Sequence, residues 1–245
     1  MGRKGADKKT KRSKAPAFWA IKRKAYQFTI TTLPGPHPKS MSYPLAVFLR
    51  DIFKLVKTYR EAKYLIFEGK IKVDGVIRKK PDFPLGLMDV IEIPTIGKTY
   101  RLVPTTSVPL APIEISDKEK SLKICKIKVK RIIKDKKIQY GLHDGRSLLL
   151  DNQELRPGDS CLIEVPSQKM INSVKLSEGA LVLVTKGKKV GQIGKIKQIK
   201  QGTFSRQKMI DITLGETSTE LPLEMVIAIG DKNPLVSISE SVRNG

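Results

Sequence analysis

The sequence is poor in the residue types that most often carry catalysis and metal binding. Its 245 residues include only two cysteines and two histidines. Cys125 and Cys161 form no CxxC pair, and no histidine lies near them at the spacing of a zinc site. The pattern favours two free thiols in a reducing compartment, with a single disulfide as the alternative. The sequence therefore predicts a cytosolic protein without a metal or a cofactor.

Long apolar runs are also absent. No segment approaches the roughly 18 apolar residues of a transmembrane helix, and the basic N-terminus is not followed by the hydrophobic stretch of a secretory signal. We therefore expect no membrane partner. The hydrophobic content of 40% is enough for small packed cores in about one to three domains.

Acidic residues are too few to balance the basic ones. The chain holds 47 Lys and Arg against 24 Asp and Glu, a net charge of +23. Self-repulsion of this size opposes folding unless a polyanion neutralises it, and this indicates a nucleic-acid partner. The excess lies in the first 210 residues, because the remainder has only Lys232 and Arg243 against six acids, Asp211, Glu216, Glu220, Glu224, Asp231 and Glu240.

Two motifs resemble catalytic or phosphate-binding ones only superficially. His143 and Asp144 stand beside Gly145, and no nucleophile accompanies them, so we interpret them as a hairpin turn. Glycines at 187, 191 and 194 suggest a phosphate loop, but no Walker lysine-serine pair follows. Tight corners of a small barrel are the better interpretation. We expect no catalysis and no small-molecule substrate.

The stretch 42–93 organises the rest of the chain. Leu45, Phe48, Leu49, Ile52 and Val56 recur at the spacing of one helix face, with cations on the opposite side: Arg50, Lys54 and Lys57. A second helix begins at a capping box, Thr58 and Glu61. We expect its apolar side chains to join the same stripe; they are Tyr59, Ala62, Leu65 and Ile66. Its two cations, Arg60 and Lys63, should stay on the outside.

A hairpin follows the two helices. Asp74-Gly75 between β-branched residues is the signature of a type I′ turn, which needs positive φ at both central positions. Arg78, Lys79 and Lys80 come directly after it. These charges either form a preorganised RNA-binding surface or simply solvate two surface helices, as most charge runs do.

The N-terminal segment 1–24 carries ten basic residues and one acid, Asp7. We expect it to be disordered alone and to fold against a partner, although such a run also resembles a nuclear-import signal. Trp19 either stacks on an unpaired base or pins the segment to its own domain. A Pro-rich linker follows over 33–38.

From Thr105 the pattern becomes all-β. In 122–133, Lys126, Lys128 and Lys130 alternate with β-branched residues, so period two places them on one face of a strand. Further short strands over 160–165, 180–184, 196–199, 208–214 and 221–229, separated by regular turn signals, predict small barrels.

Motifs along nearly the whole chain resemble the archaeal and eukaryotic small-subunit ribosomal protein family S4e. They are GRKG (2–5), Ala15-Pro16 with Trp19, PGPH (34–37), KVDG (72–75), FPLGLMDVIEI (83–93), HDGR (143–146) and ALVLVTKGKKVGQIG (180–194). Within this order, 42–93 resembles the alpha-L RNA-binding motif and 176–210 resembles a KOW module, an SH3-like barrel.

The resemblance implies an α+β multi-module fold without enzymatic activity. The expected parts are a disordered basic extension and linker (1–41), an alpha-L RNA-binding domain (42–104), a central small β-barrel domain (105–175), a KOW SH3-like barrel (176–215) and a C-terminal strand with an acidic tail (216–245).

The implied function is that of a structural constituent of the small ribosomal subunit, cytoplasmic within the ribosome. The partners would be small-subunit ribosomal RNA and neighbouring small-subunit proteins. The candidate RNA-binding residues are Arg3, Lys4, Lys8, Lys9, Lys11, Arg12, Lys14, Trp19, Lys22, Arg23, Arg50, Lys54, Lys57, Arg60, Lys63, Lys70, Lys72, Arg78, Lys79, Lys80, Lys126, Lys128, Lys130, Lys186, Lys188 and Lys189.

Two other functions fit parts of the pattern. An RNA-modifying enzyme could carry an alpha-L module as its binding arm, but it would need a catalytic domain and the remaining chain offers only small barrels. A transcription or translation factor could use a KOW module to bind a protein, but it would not need so many cations over the first two hundred residues.

Overall fold

Two short strands and a tightly held loop form the N-terminal part of the structure. The computed structural model describes residues 9–133, 137–150, 155–203, 207–215 and 217–238. Strand β1 (Lys9–Lys11) pairs antiparallel with β2 (Phe28–Ile30), and a 3-10 turn (Arg12–Lys14) follows β1 directly.

The expectation of disorder over 1–24 is wrong for the described residues 9–24. The Arg12 guanidinium donates to the carbonyl oxygens of Lys22 (2.5 Å) and Phe28 (3.3 Å). Arg23 donates in turn to the carbonyls of Arg12 and Ala15, both at 3.0 Å. These guanidinium groups satisfy the backbone of an irregular loop, so the segment folds on the chain's own contacts.

The first predicted helix is shorter than its apolar pattern indicates. Helix α1 (Leu45–Val47) runs directly into a π-helical turn (Phe48–Ile52). Lys54 then takes a positive φ of 54°, which no right-handed helix accommodates. Val56 and Lys57 therefore lie outside the helix, although the buried face of Leu45, Phe48 and Leu49 is as predicted.

The second helix and the hairpin are confirmed. Helix α2 (Tyr59–Phe67) begins with both bonds of the capping box, since the Glu61 N–H donates to the Thr58 hydroxyl at 3.2 Å and the Glu61 carboxylate accepts from the Thr58 N–H. In the hairpin Asp74 and Gly75 have φ values of 51° and 73°, as a type I′ turn requires.

The hairpin continues into a five-stranded antiparallel sheet of order β5-β4-β7-β8-β9. Its strands are β4 (Lys72–Val73), β5 (Val76–Ile77), β7 (Val90–Ile93), β8 (Lys98–Val103) and β9 (Ala111–Ile115). A separate two-stranded sheet is formed by β3 (Tyr43–Pro44) and β6 (Pro84–Leu85), which pair antiparallel. Because β9 pairs with β8, this sheet extends past the predicted domain edge at 105.

The central sheet has the order β12-β11-β10-β13-β14. Its strands are β10 (Leu122–Ile132), β11 (Ile138–Leu142), β12 (Ser147–Leu150), β13 (Ser160–Glu164) and β14 (Lys169–Val174), and a 3-10 turn (Asp117–Glu119) precedes it. Within the described residues its edge strands β12 and β14 do not pair with each other, so it is an open sheet rather than a closed barrel.

Strand β10 does not keep the predicted alternation. Its register against β11 shifts between Ile127 and Val129, and such a bulge reverses which face the following residues occupy. Lys130 consequently lies opposite the buried Tyr140, with its ammonium 5.7 Å from that ring. Lys126 and Lys130 therefore do not share one face.

The third sheet has the order β18-β17-β16-β15-β19, so that β19, its last strand along the chain, pairs with β15, its first. Its strands are β15 (Leu181–Val184), β16 (Ile193–Lys200), β17 (Met209–Leu214), β18 (Thr217–Pro222) and β19 (Val226–Gly230). A 3-10 turn (Leu223–Met225) divides the single strand predicted over 221–229 into two. Strands of the predicted C-terminal segment thus complete this sheet.

Apolar clusters connect several of these parts. The N-terminal segment and the helices share one apolar cluster, in which Trp19, Tyr43 and Phe48 are buried. A second cluster joins all three five-stranded sheets, through residues such as Ile113, Leu162 and Leu183. In the part of the chain that the structure describes, no helix is long and apolar enough to cross a membrane.

Replacing Trp19 with alanine tests whether the N-terminal segment is part of the fold. We expect Trp19→Ala to lower the free energy of unfolding by about 3–5 kcal/mol, because it empties a buried indole site. Tyr26→Ala is the control, since that ring is 73% exposed. Urea denaturation of both variants measures the effect, and equal stabilities would show that the segment contributes nothing to the core.

Candidate nucleic-acid interface

A buried lysine ties the hairpin to the central sheet. Lys123, on β10, is 1% exposed, and its ammonium lies 2.8 Å from the Asp74 carboxylate in the hairpin turn. It also lies 2.6 Å from Asp89 and 3.1 Å from Asp144. Burial alone would lower the pKa of Lys123, but these carboxylates outweigh burial and raise that pKa well above its ordinary value.

Further groups complete this cluster. His37, from the Pro-rich linker, contacts Asp89 at 3.0 Å, and the second Asp89 oxygen accepts the Gly86 N–H at 2.8 Å. Burial would raise the pKa of Asp89, but the charges of His37 and Lys123 lower it. Arg146 joins Asp74 (2.8 Å) to Asp144 (2.9 Å). We call these six side chains the Lys123 cluster: His37, Asp74, Asp89, Lys123, Asp144 and Arg146.

Cys125, His143 and Asp144 come close enough to resemble a metal site, but their donor atoms are already engaged. The His143 Nδ1 accepts the Lys126 N–H at 3.2 Å, and its Nε2 lies 3.2 Å from the Leu87 carbonyl. The Cys125 thiol is 3.6 Å from the Asp144 carboxylate, which also pairs with two cations. These three residues therefore do not fit a metal ion.

The two cysteines are buried free thiols, as the sequence favours. They are directly opposite each other on β10 and β13. Burial raises the pKa of the Cys161 thiol to about 12 and raises that of Cys125 well above its ordinary value. Because the thiolate is the reactive form, these side chains are poor nucleophiles.

Two other cations join the remaining parts of the chain. The buried Arg101 donates to Glu119 (2.9 Å) and to the carbonyl of Ser237 (3.1 Å) near the C-terminus. Lys126 donates to the carbonyls of Leu223 (2.6 Å) and Val226 (2.7 Å) in the third sheet. Burial lowers the pKa of Lys126 to about 8.

Several predicted RNA-binding residues serve the protein itself. Trp19 is 2% exposed, and its indole N–H donates to the Ser42 carbonyl at 2.9 Å. This ring has no face free for a base, so the stacking interpretation is wrong and the pinning interpretation is confirmed. Arg12, Arg23 and Lys126 donate to backbone carbonyls, as described above, so each is engaged within the protein.

Three more of these candidates are only partly exposed. Arg50 forms a 2.7 Å ion pair with Asp51. Arg78 lies over the Phe83 ring, 4.6 Å from its centre. Lys72 is half-buried on β4.

The remaining described candidates, apart from the half-buried Lys189, expose their side chains to solvent. They are Lys9, Lys11, Lys14, Lys22, Lys54, Lys57, Arg60, Lys63, Lys70, Lys79, Lys80, Lys128, Lys130, Lys186 and Lys188. Arg3, Lys4 and Lys8 lie outside the described residues. Lys70 pairs with Glu68 at 2.6 Å, so part of its charge is neutralised within the protein.

The structure brings cations from separate segments together around one groove of about 920 Å³. Lys9 comes from β1, Lys63 from α2 and Lys80 from the segment after the hairpin. We call this the N-terminal groove. Its wall also contains four aromatic side chains, Tyr26, Phe28, Tyr59 and Phe67. Tyr59 is 38% exposed, so its predicted place in the buried apolar stripe is wrong.

Three family models match successive parts of the chain. They are the RS4NT domain over residues 4–40, the S4 domain over residues 44–91 and the Ribosomal family S4e over residues 96–170. The S4 domain match covers the two helices and the hairpin.

Individual proteins match the chain over nearly its full length. It is 37% identical over 249 residues to small ribosomal subunit protein eS4 of Staphylothermus marinus, which covers 98% of this chain and 99% of that protein. It is 39% identical over 238 residues to the eS4 protein of Korarchaeum cryptofilum, covering 97% and 100%. The crystal structure of the 30S ribosomal protein S4e from Thermoplasma acidophilum is similar at a TM-score of 0.67 and 30% identity, over 78% of this chain and 95% of that one.

Removing the Lys123 ammonium should destabilise the protein strongly. We expect Lys123→Met to lower the free energy of unfolding by about 3–5 kcal/mol, because it removes the one cation that contacts all three buried carboxylates of the cluster. The exposed Lys120→Met is the control and should change stability by less than about 0.5 kcal/mol. Adding Asp144→Asn to Lys123→Met should restore part of the loss. Denaturation curves that place both single variants at the same stability would contradict this role.

The His143 ring should make stability fall with acidification. Burial lowers its pKa from 6.5 to about 4, so between these values the unfolded chain binds more protons than the folded one. The free energy of unfolding therefore decreases as pH falls from 6.5 to 4. The His143 side chain is half-buried. We therefore expect the free energy of unfolding to fall by about 2 kcal/mol, rather than by the roughly 3 kcal/mol that a fully buried ring would give.

The variant for this test is His143→Asn, whose side-chain oxygen can still accept the Lys126 N–H. Denaturation at a series of pH values from 7 to 4.5 should show a flatter profile for the variant than for the wild type. Parallel profiles would mean that other groups cause the acid sensitivity.

Proposed function

Because this chain belongs to the family of the small ribosomal subunit protein eS4, we propose that it binds small-subunit ribosomal RNA through exposed lysines and arginines held on a rigid scaffold. The family consists of structural constituents of the ribosome rather than enzymes, so the alternative of an RNA-modifying enzyme is excluded. The observation that carries the proposal is the match to eS4 proteins over 98% of the chain.

The charge distribution supports this function physically. The buried Lys123 and Arg101 form ion pairs with carboxylates inside the protein. They therefore add little to the positive electrostatic potential at the surface. Lysines such as Lys54, Lys57 and Lys79 are exposed, and surface ammonium groups bind RNA phosphates by releasing condensed counterions. Folded A-form RNA is recognised through its shape and backbone, which suits cations on fixed elements.

The finer assignments are part of the same proposal. The helices and hairpin act as an alpha-L RNA-binding motif, with Arg78, Lys79 and Lys80 along its edge. The third sheet acts as a KOW module, which the pairing of its C-terminal strand β19 with its N-terminal strand β15 supports. The central sheet carries Lys128 and Lys130 toward RNA, and the loop after β15 carries Lys186, Lys188 and Lys189. The division into domains that the sequence predicts belongs to the same proposal, with β9 in the first five-stranded sheet and β18 and β19 in the third.

The cellular setting follows from the same reasoning. The protein works in the cytoplasm as part of the assembled small subunit and supports translation. Neighbouring small-subunit proteins contact its acidic C-terminal part, where Glu220 and Glu224 are exposed. Arg3, Lys4 and Lys8 belong to the same proposal through their charge, as three further candidates for phosphate contacts.

Neutralising exposed cations should flatten the salt dependence of RNA binding. We expect the triple variant of Lys54, Lys57 and Lys79 to Gln to reduce the slope of log affinity against log salt by roughly 2–3, since each lost phosphate contact removes about 0.7–0.9. The measurement is binding of the full chain to small-subunit ribosomal RNA at several salt concentrations. The matched control neutralises Lys118, Lys120 and Lys232, which are exposed beside acidic residues.

Two outcomes would count against these assignments. An unchanged slope in the triple variant would mean that these lysines do not contact phosphates. Wild-type protein that remains free of the small subunit in cell extract at every salt concentration would overturn the ribosomal function itself.

A further inference from the structure

Aromatic side chains line the N-terminal groove while remaining open to solvent. Tyr26 is 73% exposed, Phe67 50%, Phe28 46% and Tyr59 38%. Phenylalanine is among the residues that folding usually buries, and exposed rings gathered in one place mark an interaction site. The rings come from two separate parts of the chain, since Tyr26 precedes β2, Phe28 begins it, and Tyr59 and Phe67 lie on α2.

Cations interleave with these rings. The Arg12 guanidinium lies 5.2 Å from the centre of the Tyr26 ring, and the Lys63 ammonium lies 5.2 Å from that of Phe67. Lys9 and Lys80 stand on the same wall, and Asp82 is the one carboxylate among the described residues that line it. The groove is therefore positive as well as aromatic.

This combination matches the chemistry of an unpaired nucleotide. Each base offers a flat π-face that stacks on an aromatic ring, while its phosphate is an anion for the neighbouring lysines. A duplex keeps its bases stacked inside the helix, so only unpaired bases can use the rings. The volume of about 920 Å³ lies in the range of ordinary ligand sites.

We propose that the N-terminal groove binds unpaired nucleotides of RNA by stacking their bases on Tyr26, Phe28, Tyr59 and Phe67. This inference rests on the proposed RNA-binding function and adds a class of ligand to it, single-stranded rather than helical RNA. An acidic peptide would also be attracted to the lysines, but it has no flat groups to match four exposed rings.

The test compares unpaired and paired RNA on the full chain. The probe is a short oligoribonucleotide with a central 2-aminopurine, used either alone or annealed to its complement. We expect the wild type to quench the 2-aminopurine fluorescence of the single strand, since stacking on an aromatic ring quenches it. The double variant Tyr26→Leu with Phe67→Leu should bind the single strand about tenfold more weakly and bind the duplex as the wild type does.

The matched control is Tyr64→Leu. Tyr64 is 62% exposed on the same helix, but it is not among the residues that line the groove. It should leave both affinities unchanged. The single variant Tyr26→Leu is measured as well, in case the double variant does not fold. It should fold normally, because so exposed a ring contributes little to the core.

The outcomes separate this inference from the function on which it rests. Equal single-strand binding by the wild type and the groove variants would overturn the inference and leave duplex binding intact. Equal losses for single strand and duplex would also overturn it, since the rings would then act through structure. Preference of the wild type for an acidic peptide over the single strand would assign the groove to a protein partner. A wild type that binds neither RNA would instead refute the RNA-binding function.

Discussion

The burial of one ammonium group, that of Lys123, is the constraint on which the arrangement of the modules depends. Removing a charge from water costs several kcal/mol unless partners replace its hydration. Here the partners come from three places, the hairpin turn with Asp74, the start of β7 with Asp89 and the β11–β12 turn with Asp144. A module that shifted by a few ångströms would leave charges buried and unpaired. The cluster therefore selects one arrangement of the hairpin against the central sheet.

That arrangement determines what the protein presents on its surface. Asp74 lies in the turn that leads into Arg78, Lys79 and Lys80. Holding its carboxylate in place therefore also sets the position of the segment that carries those cations. Arg101 likewise holds the C-terminal segment through the Ser237 carbonyl, and Lys126 holds the third sheet through the Leu223 carbonyl. Because these interior cations are matched by carboxylates or carbonyls, the excess positive charge of the chain is left at the surface, where repulsion among lysines is relieved by a polyanion.

Local signals in the sequence predicted local structure well. The capping box of Thr58 and Glu61 and the positive φ values of Asp74 and Gly75 are confirmed, because each depends on residues a few positions apart. The end of the first helix had no such signal, since Lys54 takes a positive φ without a glycine or proline nearby.

Features that depend on distant residues could not be predicted in the same way. Lys123 looks like any other lysine of an alternating strand, and its partners Asp89 and Asp74 are 34 and 49 residues away. The register shift in β10 likewise depends on how β11 pairs with it. The aromatic wall of the N-terminal groove forms only because β2 and α2 lie close together in the fold. No pattern within either segment predicts that contact.

The folded N-terminal segment changes how the basic surface works energetically. A disordered tail loses its conformational freedom when it binds, and that loss subtracts from the affinity. Here Arg12, Arg23 and Trp19 order residues 9–24 within the protein, so the ordering of the segment is a cost of folding. Lys9, Lys11 and the ring of Tyr26 are thereby ordered in the free protein, so more of their interaction energy would be available for the RNA binding proposed above.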